Sequence, residues 1–85
     1  MATKRQVCLK FGRTVRQLRH ALELSQACLA DRAKIHRTYI GGIERGERNP
    51  TLTMVVRLAG ALSVAPAKLL EAVGAEQIED FDEDR

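Results

Sequence analysis

The 85-residue chain has no tryptophan and three aromatic residues in all, one Tyr and two Phe. Stacked rings therefore cannot build its interior, which must come from Leu, Ile, Val and Ala, the residues of closely packed helices. It has two cysteines, Cys8 and Cys28, too few and too far apart for a disulfide scaffold, and both thiols are expected free in a reducing compartment. Zinc ligation by Cys8, His20, Cys28 and His36 fails on spacing, because no pair of them falls within the short interval that structural zinc sites use. No apolar run approaches the roughly 20 residues that span a bilayer, and the opening Met-Ala-Thr-Lys-Arg-Gln-Val-Cys does not read as an export signal. The expected location is cytoplasmic. There is no phosphate-cradling glycine loop, no nucleophile motif and no acid cluster on the folded body, so neither an enzyme nor a cofactor is expected.

What the chain does have is charge, unevenly placed. Residues 1–70 hold thirteen Lys and Arg against four Asp and Glu, a net of +9, whereas residues 71–85 hold seven acids and one Arg, a net of −6. A basic body followed by an acidic tail is hidden in the overall formal charge of +3. Clustered Lys and Arg fit a polyanion such as nucleic acid, whose counterions they release on binding. The length allows one small domain with one modest core.

Periodicity organises that domain into five short helices. Phe11, Val15, Leu18 and Leu22 recur at steps of four, three and four, one face of a first helix. Ser25 is suited to cap a second helix running to Ala33. Lys34, Ile35 and His36 break the pattern before Ile40 and Ile43 resume it, so a tight turn with Ile35 plugging the corner leads into a third helix, His36 to Arg45. Gly46 and Pro50 end that helix. Thr51 caps a fourth carrying Leu52, Val55, Ala59 and Leu62, and Pro66 opens a fifth carrying Leu69, Leu70 and Val73. The expected organisation is an N-terminal arm at 1–10, a helical domain at 11–73 and an acidic, disordered tail at 74–85, with Ile78 and Phe81 its sole apolar anchors.

Two short helices joined by a three-residue turn describe a helix-turn-helix, which sets its second helix into the major groove of DNA. The run from Leu24 through Ala33 and the run Ile35-His-Arg-Thr-Tyr-Ile-Gly-Gly-Ile-Glu-Arg-Gly-Glu-Arg-Asn-Pro-Thr-Leu52 resemble the phage-repressor (Cro/cI, or XRE) family. Within it, Arg-Thr-Tyr-Ile-Gly-Gly-Ile-Glu-Arg looks most like the controller proteins of restriction-modification systems. The resemblance implies an all-α, five-helix, lambda-repressor-like DNA-binding domain acting in transcription regulation.

Carried over residue by residue, the resemblance places Gln26 and the start of the second helix on a phosphate. It places His36, Arg37, Thr38 and Tyr39 at the exposed start of the recognition helix. Arg37 is the expected base reader, through a bidentate contact to guanine O6 and N7; Thr38 can meet a thymine methyl or a phosphate, and Tyr39 the backbone or a base. Arg45, Arg48 and Asn49, with the amides around Thr51, match a second phosphate clamp. Arg19 and Glu44 match a structural ion pair between the first and third helices. Two glycines inside a helix cost about 1 kcal/mol each relative to Ala. Gly42 is read either as allowing close approach of backbone to groove floor or as avoiding a clash. Lys34 stands where relatives have Gly, at a turn position that favours positive φ.

One such domain spans too few base pairs for useful specificity, so pairing across a two-fold axis on an inverted repeat of double-stranded DNA is expected. The surface left for a homodimer is the fifth helix and the exposed side of the fourth, with Met54, Leu58, Leu69 and Leu70. The rival reading is an antitoxin or other protein-interaction module whose acidic tail binds a partner. A regulator's tail would instead be available to RNA polymerase or another protein.

Overall fold

The computed structural model describes residues 2–74 and consists of five helices: α1 Lys4–Ala21, α2 Gln26–Ala33, α3 Arg37–Glu44, α4 Leu52–Ala61 and α5 Pro66–Leu70. Each start has a local cause. Ser25 and Thr51 accept hydrogen bonds from the amides of Cys28 and Met54, at 3.0 and 3.2 Å, satisfying donors that a helix leaves open at its N-terminus. Pro66 occupies the first turn of α5, where its missing N–H costs nothing.

The first helix corrects the expected N-terminal arm. It begins at Lys4 and runs 18 residues, because Thr3 and Gln6 form a reciprocal capping box. Thr3 Oγ1 accepts from the Gln6 amide at 3.1 Å, and the Thr3 amide donates to Gln6 Oε1 at 2.9 Å. Residues 4–10 are thus two helical turns fixed to the body, with Cys8 buried beneath them. The acidic tail, with Ile78 and Phe81, lies outside the described residues apart from Gly74.

Val15, Leu29, Ile40, Ile43, Leu58 and Leu69 are the largest wholly buried side chains, and they bring all five helices onto one core. This corrects the expected pairing surface: Leu58 and Leu69 are both 0% exposed and unavailable to a second subunit. The apolar side chains that do face outward on α4 and α5 are Leu52, Val56 and Leu70, with Met54 half-buried. Both faces of α4 are apolar, so periodicity alone could not say which faces the core.

Gly12 sets the approach of α1 to α3. A Cβ there would overlap the backbone carbonyl of Ile43 and crowd that of Glu44, so glycine lets the two helices meet backbone to backbone. α3 is seated on this contact.

Candidate nucleic-acid interface

The turn between α2 and α3 has the geometry the motif needs. Lys34 takes the left-handed conformation, φ 59 and ψ 42, and caps the C-terminus of α2. Its side chain bears the steric cost that a glycine avoids, of order 1–2 kcal/mol. Ile35 is buried at the corner, and its amide donates to Ala30 O at 3.0 Å. His36 then caps α3 through its ring, Nδ1 accepting from the Thr38 amide at 3.1 Å.

The inner side of α3 is fixed by apolar packing and by one ion pair. Ile40 and Ile43 are wholly buried. Arg19 reaches from α1 in a bidentate contact to Glu44, with Nε to Oε2 at 2.6 Å and NH2 to Oε1 at 2.9 Å. Its remaining nitrogen, NH1, donates to Leu24 O at 2.8 Å, so the same guanidinium also ties down the end of the α1–α2 loop. Gln26 adds a third donor to the carboxylate, Nε2 to Oε1 at 3.1 Å. Burial pushes the Glu44 carboxyl up, but the hydrogen bonds from Arg19 and Gln26, with the charges of Arg19 and Arg16, outweigh it and hold the group below the ordinary carboxylate value. The Glu44 hydrogen bond in turn raises Arg19 further above an already high value, against the opposing pull of burial.

The structure thus brings the expected pair together and adds Gln26 to it. The Gln26 amide is engaged with Glu44 through one N–H, which leaves its second N–H as a further donor at the start of α2. Nothing in the spacing of Gln26 and Glu44, 18 residues apart, signalled that bond.

The outer side of α3 is arranged differently. Arg37 and Thr38 are exposed at its first turn, and Tyr39 is half-buried against the core. The Arg48 guanidinium stacks on the Tyr39 ring, 5.3 Å from its centroid, a cation–π arrangement. To reach it, the Arg48 stem crosses Gly42, where a Cβ would come within 2.7 Å of Arg48 Cγ. Of the two readings of Gly42, the structure supports avoidance of a clash: the residue is buried under Arg48 and presents no open backbone to a groove. Gly41 gives the Arg45 side chain room in the same way, with NH1 at 3.0 Å from the Cβ position.

Arg45 pairs with Glu47, Nε to Oε2 at 3.1 Å, with both side chains more than half exposed. Arg48, Asn49 and Thr51 are exposed beside it on the loop into α4. Thr51 Oγ1 occupies the Met54 amide, and the two N–H groups before it complete the anion-accepting end of α4. Among the described residues no group of His, Cys, Asp and Glu is placed to hold a metal ion, and no helix is long and apolar enough to cross a membrane.

Comparison with known proteins agrees with this geometry. The control protein C.SmaI of Serratia marcescens is 48% identical over 64 residues, covering 75% of this chain and 76% of the relative. The control protein C.BamHI of Bacillus amyloliquefaciens is 45% identical over 64 residues, covering 74% and 79%. The crystal structure of the restriction-modification controller protein C.AhdI from Aeromonas hydrophila superposes with a TM-score of 0.72 at 45% identity, covering 73% of this chain and 94% of that one. Residues 10–73 match the family described as helix-turn-helix domain, and the chain belongs to that family of DNA-binding regulators, alongside the restriction-modification controllers.

Proposed function

We propose that this protein is a sequence-specific regulator that controls transcription of a restriction-modification system by binding, as a homodimer, an inverted repeat in double-stranded DNA. The observation that carries the reading is the two-sided recognition helix, locked to the body through Arg19, Glu44 and Gln26 while Arg37 and Thr38 stand exposed at its leading turn. Such a helix is positioned before DNA arrives, so its polar end can select bases without first ordering itself. Arg37 reads a guanine and Thr38 its neighbour. Gln26, Tyr39, Arg45, Arg48, Asn49 and the amides after Thr51 hold the phosphates on either side. His36 donates to the edge of the site.

Pairing uses the apolar side chains left outward on α4 and α5. Leu52 is 76% exposed, Val56 52% and Leu70 46%, and they supply the buried centre that a stable two-fold contact requires. The protein acts in the cytoplasm, and the acidic sequence at 75–85 is a candidate partner for RNA polymerase or another protein.

Selection of bound sites from random DNA, run in parallel with Arg37→Ala, tests the reading. Enrichment of a two-fold symmetric motif, with relaxed preference at one position per half-site in the variant, is the expected result. Failure to enrich any motif would sink it. Sedimentation of Val56→Glu tests the pairing surface: the variant should be monomeric where the parent protein is dimeric.

A further inference from the structure

The capped start of α1 places charge where an unfixed arm would not. Because α1 starts at Lys4, its first two turns are rigid, and they form one wall of a cleft of about 280 Å³. Lys4, Arg5 and Cys8 line that wall. Gly46, Glu47, Arg48 and Asn49, the loop between α3 and α4, line the other. This is the loop assigned to the second phosphate clamp, so the cleft opens beside the path of the DNA backbone.

We propose that this cleft is a further DNA-binding site: Arg5, projecting from the first turn of α1, takes a backbone phosphate that flanks the half-site, beyond the one held by Arg48 and Asn49.

Three observations support the assignment. Among the described residues the cleft gathers Lys4, Arg5 and Arg48 with one acid, Glu47, which is already engaged by Arg45 at 3.1 Å. Hydrogen bonding to Arg45 holds the Glu47 carboxyl below its ordinary value, and the charges of Arg45, Arg5 and Arg48 add to this, so the one carboxylate lining the cleft stays paired with arginine. Finally, Arg5 is exposed on a helix capped by Thr3 and Gln6, so little backbone freedom is lost when it binds. A phosphate is the ligand that such donors fit. The site carries no sequence information; it adds affinity and lengthens the footprint.

The proposal rests on the DNA-binding reading, and the experiment separates the two. Affinity for the selected site is measured across a salt series for the parent protein and for Arg5→Gln, on a long duplex and on one trimmed of its flanking base pairs, with circular dichroism to verify helix content. The expected result is a salt slope lower in Arg5→Gln by about 0.9 for each cleft engaged, with the preference between matched and mismatched sites unchanged. Trimming should weaken the parent protein and leave the variant unaffected. An unchanged slope and equal response to trimming, with specific binding intact, would overturn the cleft contact alone. Tighter binding by Arg5→Gln would also overturn it, by showing that the cleft holds the acidic segment 75–85 rather than DNA. If the parent protein selects no site, the DNA reading fails and the cleft contact fails with it.

Discussion

The two sides of α3 are built on opposite terms. On the inner side every strong interaction is complete within the chain: Ile40 and Ile43 are buried, and Glu44 accepts from both Arg19 and Gln26. On the outer side Arg37 and Thr38 lie in water, and the arginines nearby rest on surface partners, Arg45 on Glu47 and Arg48 on Tyr39. Exposed contacts of that kind contribute little and exchange readily for phosphate. The inner side fixes where the helix is; the outer side decides what it binds.

The largest effect should come from breaking the inner side. Glu44→Ala leaves Arg19, 8% exposed, charged and without its carboxylate, and should cost about 3 kcal/mol of stability. Denaturation in urea would measure it, and DNA affinity should fall in parallel. Acid attacks the same bond. The folded-state value of Glu44 is depressed, so its contribution is fully present above the ordinary carboxylate value and is lost as pH falls through the lower, folded-state one. Urea midpoints taken at descending pH should show this loss in the parent protein and a flatter curve in Glu44→Gln.

Breaking the outer side should leave stability alone. Arg37→Ala is expected to lose about 1–3 kcal/mol of discrimination at one base pair, with a melting temperature within a degree or so of the parent protein, since exposed substitutions away from special features change stability little. If it unfolds the protein as readily as Glu44→Ala, the contrast between the two sides is wrong. A smaller effect lies in the turn between α2 and α3: Lys34→Gly relieves a left-handed lysine and should stabilise by about 1 kcal/mol, read as a rise of about 4–8 °C in melting temperature. The smallest is expected at Gly42→Ala. Better helix propensity, worth about 1 kcal/mol, offsets displacement of Arg48 from Tyr39, about 0.5–1 kcal/mol. The melting temperature should barely move in a thermal scan.

Much of this was legible in the chain because the signals were local. Ser25, Thr51 and Pro66 mark helix starts by their own chemistry, whereas the positive φ of Lys34 was signalled by resemblance to relatives that have Gly there. Resemblance to relatives supplied the Arg19 and Glu44 pair, which local rules could not, since 25 residues separate them. The misreadings have physical reasons. The capping box at Thr3 and Gln6 was present in the sequence, but the turn it opens is polar and basic, and the apolar stripe of α1 was begun at Phe11 although Cys8 extends it by one three-residue step. Leu58 and Leu69 were placed on the surface because α4 and α5 are apolar on more than one face. Gly12 gave no pattern at all: its role appears only where the backbone of α3 crosses it.

The cap at His36 has a consequence for recognition chemistry. An amide N–H can donate only to a ring nitrogen that carries no hydrogen, so the bond from Thr38 places the hydrogen of the neutral imidazole on Nε2. What the exposed ring can offer outward is then a donor and not an acceptor. It can meet a phosphate oxygen, guanine O6 or N7, or thymine O4, but it has nothing to offer the amino group of cytosine. An interaction internal to α3 thereby fixes the polarity of a contact that DNA would otherwise be free to choose.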